Sequence, residues 1–94
     1  MAALDLLGRR WSLRVLWELR DGPHGFRALR DRCDGMSMSV LRQRLVELGA
    51  AQLVEQDDAQ RYRLTALGEE LRAAIEPLTR WSERWSAEVG AAEA

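Results

Sequence analysis

Four side chains in the stretch GMSMSVLRQRLVEL, residues 35–48, have the types and the spacing to read a chemical surface. Ser39, Arg42, Gln43 and Val46 fall at i, i+3, i+4 and i+7, which is one face of a helix. Arginine presents two parallel donors that match the edge of guanine, and glutamine offers the donor and acceptor that adenine requires. Serine serves either, and an apolar side chain meets the methyl of thymine. Leu41, Leu45 and Leu48 take the opposite face, the stripe that a core would bury. A valine among polar neighbours is out of place on a face that meets only water; it fits a face that touches something.

The arginines nearby suit a second kind of contact. Arg27, Arg30 and Arg44 are placed to meet phosphates, where they hold register and read nothing. Between Phe26 and Leu45 five arginines stand against two aspartates, whereas from Leu64 onward three arginines stand against six glutamates. The formal net charge is −1, so a polyanion must be met by this local patch rather than by the whole surface. All 14 basic residues are arginine, which codon usage in a GC-rich genome explains without any selected role. Two helices whose arginines merely hydrate the surface would show the same periodicity, so spacing alone leaves both readings open.

The elements that must position these residues follow from pattern and punctuation. A short helix over about 2–7 stops at Gly8. WSLRVLWEL, residues 11–19, is apolar almost all round apart from Ser12, Arg14 and Glu18, and is expected to be a buried central helix that ends at the DGP turn. FRALRDRC places Phe26, Leu29 and Cys33 on one face of a small amphipathic helix. DGM breaks the chain again, and Ser37 is the N-cap of a helix over residues 37–49 and a further candidate on the reading face that Ser39 begins. QLVEQ and RYRLT alternate around DDAQ, which predicts a hairpin with strands over 53–56 and 61–64. Thr65 caps a last helix over about 66–89, with Pro77 inside it as a point of bending.

Composition excludes much else. A chain of 94 residues, 47% hydrophobic and 31% charged, is expected to form a single globular domain over 1–94. No apolar run approaches a membrane span. The one near Met1 precedes Arg9 and Arg10 instead of following a basic stretch, so it is unlike a signal peptide and a cytoplasmic location is expected. One cysteine and one histidine leave no internal disulfide and no metal-ligand set, and no cofactor is expected. Neither a nucleophile with a base, nor a phosphate loop, nor a carboxylate pair is recognisable, so the chain is not expected to be an enzyme. His24 in GPHGF is expected to be a turn residue.

Helix, helix, tight turn, helix and hairpin is the order of a winged helix-turn-helix: mainly α with a small β-hairpin. In such a unit the second helix of the pair enters the major groove of double-stranded DNA and the hairpin, or wing, lies beside it. The run LDLLGRRWSLRVLWELRDGPHGFRALRDRCDGMSMSVLRQRLVELGAAQLV, followed by YRLTALGEELRAAIEPLTRW, resembles the HxlR-type bacterial transcription regulators, winged-helix relatives of the MarR group. The resemblance covers Leu4 to Trp85. Its distinctive points are Gly8 with Arg10 and Trp11, the DGP turn, Phe26 with Leu29, Ser37 with Leu41 to Leu45, and YRLTALG at 62–68. It implies a homodimer, built largely from terminal helices, that binds paired half-sites in promoters.

Three features depart from that family's pattern. The wing is short and carries Glu55, Asp57 and Asp58 near its tip, which argues against insertion into a minor groove, although Arg61 and Arg63 remain candidates for the DNA backbone. Redox-sensing members use a cysteine near the amino terminus, and none precedes Cys33 here. Met38 and Ser39 stand where many relatives have proline and a basic residue, which predicts a different operator.

The last helix bears an apolar stripe that includes Leu78, Trp81, Trp85 and Val89. At about 24 residues and 1.5 Å per residue it is about 36 Å long, more than so small a body can cover. Two tryptophans left in water cost roughly 2 to 3 kcal/mol each, so the stripe predicts a two-fold partner, with Leu4 and Leu7 joining the interface. Folding back of the helix at Pro77 is the alternative. Two rival functions stay open. One is a sensor of a small-molecule effector, with Trp81, Trp85 and Trp17 around an aromatic pocket, or a redox sensor using Cys33. In the redox variant, Arg32 beside Cys33 would favour a thiolate, against an inward-facing position seven residues after Phe26. The other is a winged-helix protein-interaction module that does not bind DNA.

Overall fold

The structure, a computed structural model, describes Gly8 and residues 11–93. The helix expected over 2–7, with Leu4 and Leu7, lies outside the described residues. In order come α1 (Ser12–Glu18), α2 (Phe26–Arg32), α3 (Met38–Ala50), β1 (Val54–Gln56), β2 (Tyr62–Leu64) and α4 (Ala66–Glu93). This is the mainly helical winged helix-turn-helix with a small hairpin that the pattern predicts, each overlapping element within a few residues of its expected bounds. The core sits where α1, α2 and α3 meet: Leu16, Leu29, Leu41 and Leu48 are fully buried, and Val54 and Leu64 close it from the hairpin side. The leucine stripe of α3 therefore faces inward as its spacing requires.

α1 departs from the expectation of an evenly apolar helix. Ser12 and Glu18 are buried, whereas Leu13 is exposed. Glu18 is tolerated inside because two arginines compensate its charge: its Oε2 accepts from Arg14 Nε at 2.7 Å and its Oε1 from Arg32 Nε at 3.2 Å. Arg14 also donates from Nη2 to the Arg32 carbonyl at 2.8 Å. These bonds tie α1 to the end of α2, and a buried carboxylate with such partners avoids the desolvation cost of a lone charge. The tight turn between α2 and α3 uses Gly35 at φ 78°, a conformation that glycine adopts without strain.

The hairpin pairs Val54 with Leu64, Glu55 with Arg63 and Gln56 with Tyr62. It does not stand alone. His24, expected only as a turn residue, forms an antiparallel bridge with Tyr62: its N–H donates to the Tyr62 carbonyl at 2.9 Å and it accepts from the Tyr62 N–H at 2.7 Å. The segment before α2 thus lies against the free edge of β2, blunting an edge that would otherwise be unpaired.

α4 begins on the cap that its sequence announces. Thr65 Oγ1 accepts from the Gly68 N–H at 3.0 Å and donates to the Gln52 carbonyl at 2.7 Å. From there the helix runs unbroken through Pro77 to Glu93, past the expected end near residue 89. Its 28 residues amount to about 42 Å, close to the 48 Å long axis of the molecule. The helix does not fold back at Pro77.

Candidate nucleic-acid interface

α3 is set at its start by Ser37, whose hydroxyl accepts from the Val40 N–H at 3.2 Å. The same hydroxyl lies 3.3 Å from that of Ser39, so Ser37 caps the helix at the edge of the face it was expected to share. Ser39, Arg42, Gln43 and Val46 are all exposed, Val46 at 68%. No described segment covers this face. Arg42, Val46 and Gly49 border an open cleft against the hairpin, where Val54, Glu55 and Tyr62 form the other wall.

The arginines divide into two groups. Arg27, Arg30 and Arg42 are exposed, and none of them has a carboxylate partner among the described residues. Phe26, Arg27, Arg30, Asp31 and Met38 share one groove, which joins the outer side of α2 to the start of α3. Arg42 reaches back toward α2, its guanidinium carbon 4.5 Å from the centroid of the Phe26 ring.

The second group is engaged internally. Arg44, expected to meet phosphate, is paired with Glu47 at 3.2 Å and its side chain is only 15% exposed. Its position on the flank of α3, beside the leucine stripe, turns it toward the body of the molecule. Glu47 also accepts from Gln43 Nε2 at 3.0 Å. Arg32, counted in the positive patch, is held by Glu18 and by Asp21 at 3.0 Å. The unpaired positive charge of this face is therefore smaller than the arginine count suggests.

The wing arginines are likewise held. Arg63 Nε donates to Glu55 across the hairpin at 3.0 Å, and Arg61 Nε donates to Asp57 at 3.0 Å. Asp57 is less a tip charge than a structural one. Its Oδ1 accepts from the N–H groups of Ala59 and Arg61, both at 2.9 Å, and those bonds, first among them the one from Arg61, hold its carboxyl below the usual range. Gln60 completes the turn at φ 62°.

Cys33 is fully buried, and burial pushes its thiol up to about 11. Arg32 does favour a thiolate as its neighbouring position suggested, but desolvation, followed by the nearby Glu18 carboxylate, outweighs it. The candidate redox residue is a core residue. Among the described residues no group of His, Cys, Asp and Glu could hold a metal ion, and no helix is long and apolar enough to cross a membrane.

On α4, Leu78, Trp81 and Trp85 are 54%, 50% and 54% exposed, and Val89 is 37% exposed. The two indoles stack, with centroids 6.0 Å apart and planes 13° from parallel. Trp17 lies elsewhere, its ring 4.0 Å beneath the Arg20 guanidinium. Met38, 44% exposed, is four positions before Arg42 and so belongs to the face by helical spacing, although the sequence singled it out only as a departure from the family's pattern. Phe26 was read as core alone, since no sequence signal shows which cation an inward ring meets at its rim.

The architecture has known counterparts. Residues 6–89 match the model of the HxlR-like helix-turn-helix family. The chain belongs to the HxlR family. A helix-turn-helix transcriptional regulator of Methanocaldococcus jannaschii is 29% identical over 89 residues, 90% of this chain and 83% of that protein. Among solved structures, quinone-bound YodB from Bacillus subtilis is 31% identical with a TM-score of 0.81, over 88% of this chain and 93% of that one. An HxlR family transcriptional factor from Thermoplasma volcanium reaches a TM-score of 0.84 at 27% identity, over 89% and 81% of the two chains. HxlR proteins are transcriptional regulators and not enzymes, and DNA binding by the helix-turn-helix is what the family implies.

Proposed function

We propose that this HxlR protein binds double-stranded DNA sequence-specifically as a homodimer, laying α3 of each protomer into the major groove of one half of an inverted-repeat operator. The observation that carries the reading is the uncovered α3 face. Ser39, Arg42, Gln43 and Val46 point away from the core, and Arg27 and Arg30 stand beside them with no carboxylate of the described residues on their guanidinium groups. Arg42 and Gln43 supply base contacts, Val46 and Ser39 add shape and polarity, and Arg27 and Arg30 meet phosphates. Arg61 and Arg63 reach the backbone only by exchanging their carboxylates for phosphate.

The dimer rests on α4. Leu78, Trp81, Trp85 and Val89 form an exposed apolar stripe on a helix that extends along the long axis of the molecule, and the same stripe on a second copy covers it by two-fold symmetry. Such a dimer presents two recognition helices about 34 Å apart, one turn of DNA.

Selection of bound duplexes from a random pool tests both parts together. An imperfect inverted repeat with nanomolar affinity and a steep fall with salt is expected, and Arg42→Ala relaxes preference at one position of each half-site. A pool that stays random, with binding indifferent to salt, would reject the reading and favour a protein-interaction module. Trp81→Glu separates the dimer from the fold: sedimentation is expected to show a folded monomer.

One observation favours an added effector role. In such a dimer the stacked indoles of Trp81 and Trp85 would wall an aromatic pocket at the interface that suits planar molecules, and the similar YodB has been solved with a quinone bound. Quenching of tryptophan emission by a simple quinone, lost in Trp81→Ala, is the outcome expected of that role; equal quenching in both proteins would dismiss it.

A further inference from the structure

Arg42 differs from the other arginines of α3 and the wing in what holds it. Arg44, Arg61 and Arg63 each spend donors on a carboxylate, Glu47, Asp57 and Glu55 respectively. A carboxylate occupies the N–H edge of the guanidinium, which is the edge that recognises a base. Arg42 is instead held by an aromatic ring, its guanidinium carbon 4.5 Å from the Phe26 centroid. The ring's π face attracts the positive charge without placing a carboxylate oxygen on any of the five donors. Phe26 is itself fixed, since it is half-buried and packed against the core at the first position of α2.

We infer that Phe26 is a positioning residue for base recognition: its ring holds the Arg42 guanidinium on the outer face of α3 with the donor edge unoccupied. An unheld arginine loses the freedom of several rotatable bonds when it docks on a base, whereas one already held loses less. The ring also spans the two helices of the helix-turn-helix, so the reading arginine on α3 is registered against α2, the element that carries Arg27 and Arg30. The inference rests on the reading of α3 as the groove-entering helix.

The test compares Phe26→Leu, which keeps apolar bulk for the core, with Phe26→Tyr, which keeps the ring. The base position read by Arg42 is first identified as the one relaxed by Arg42→Ala. At that position Phe26→Leu is expected to lower discrimination about two- to five-fold, the range of an exposed cation–π contact, while Phe26→Tyr retains it. The slope of affinity against salt is expected to be the same in all three, because no phosphate contact is lost. In the DNA-free protein, the side-chain protons of Arg42 are expected to show an upfield ring-current shift that disappears in Phe26→Leu.

Equal discrimination in wild type and Phe26→Leu overturns the inference, and so does an Arg42 with no ring-current shift. Loss in Phe26→Tyr as complete as in Phe26→Leu, with both melting as the wild type does, reassigns Phe26 to the core alone. A wild type that selects no sequence overturns instead the reading of α3 on which the inference rests, a result that is distinguishable because it appears before any Phe26 variant is made.

Discussion

Glu18 on α1 and Arg32 on α2 are joined at 3.2 Å, and Glu18 is 8% exposed. With Arg14 on its second oxygen, this carboxylate fastens the first helix to the helix-turn-helix. Glu18→Ala removes the acceptor shared by both arginines and is expected to lower stability by about 1–3 kcal/mol, read as a fall in the urea midpoint with an unchanged m-value. A midpoint equal to that of the wild type would show the network to be ornamental.

Asp21 links the same network to His24. The imidazole, 3.0 Å from its Oδ1, is the strongest influence on its carboxyl, opposed by desolvation and reinforced by Arg32, and the result is a pKa held at about 2 against an ordinary 3.8. A depressed folded-state value means that Asp21 contributes its stability in full above about pH 4 and loses it as the pH falls toward 2. Asp21→Asn is expected to flatten that part of the acid-unfolding profile. An identical acid limb in both proteins contradicts this assignment.

Gly68 is buried in the first turn of α4, and a Cβ there would strike the backbone carbonyl oxygen of Leu53. The carbonyl cannot step aside, because it already accepts from the Thr65 N–H at 3.0 Å. Gly68→Ala is expected to cost about 1–3 kcal/mol despite the better helix propensity of alanine. Calorimetric melting checks it; a rise in midpoint would show that the helix and hairpin shift apart freely.

Cys33 is expected to be inert in the folded protein. Its desolvated thiol, raised to about 11, presents almost no thiolate at pH 8. Alkylation by iodoacetamide should therefore be slow in buffer and fast in urea. Peroxide should leave both the Cys33 mass and DNA affinity as they were. Rapid labelling under native conditions would reopen redox sensing.

The wing offers a charge experiment. Glu55→Gln removes the carboxylate that holds Arg63 without touching the Asp57 bonds that shape the turn. The freed arginine is expected to tighten DNA binding at low salt and to steepen the log–log salt slope by up to about 0.9 for each phosphate it reaches. An unchanged slope would place the wing away from the duplex altogether.

The order of elements was legible because each one is punctuated locally. The leucines of α3, the DGP and DDAQ turns, the Thr65 cap and the alternation of the hairpin are properties of neighbouring residues, and helical or strand spacing converts them directly into faces. The family resemblance lay in the same residues. The outward side of α3 was legible for the same reason: once Leu41, Leu45 and Leu48 face the core, Arg42, Gln43 and Val46 have only one place to be.

Partners distant along the chain were not legible. Which arginines stay unpaired depends on where carboxylates arrive from other elements, and Arg32 met Glu18 fourteen positions away while Arg42 met a ring instead. The bridge between His24 and Tyr62 is likewise a meeting of backbones that carry no side-chain signal. Charge acts through space and pattern acts along the chain, so the residues alone determined the elements and their faces, and only the tertiary structure decided which charges on those faces remain available.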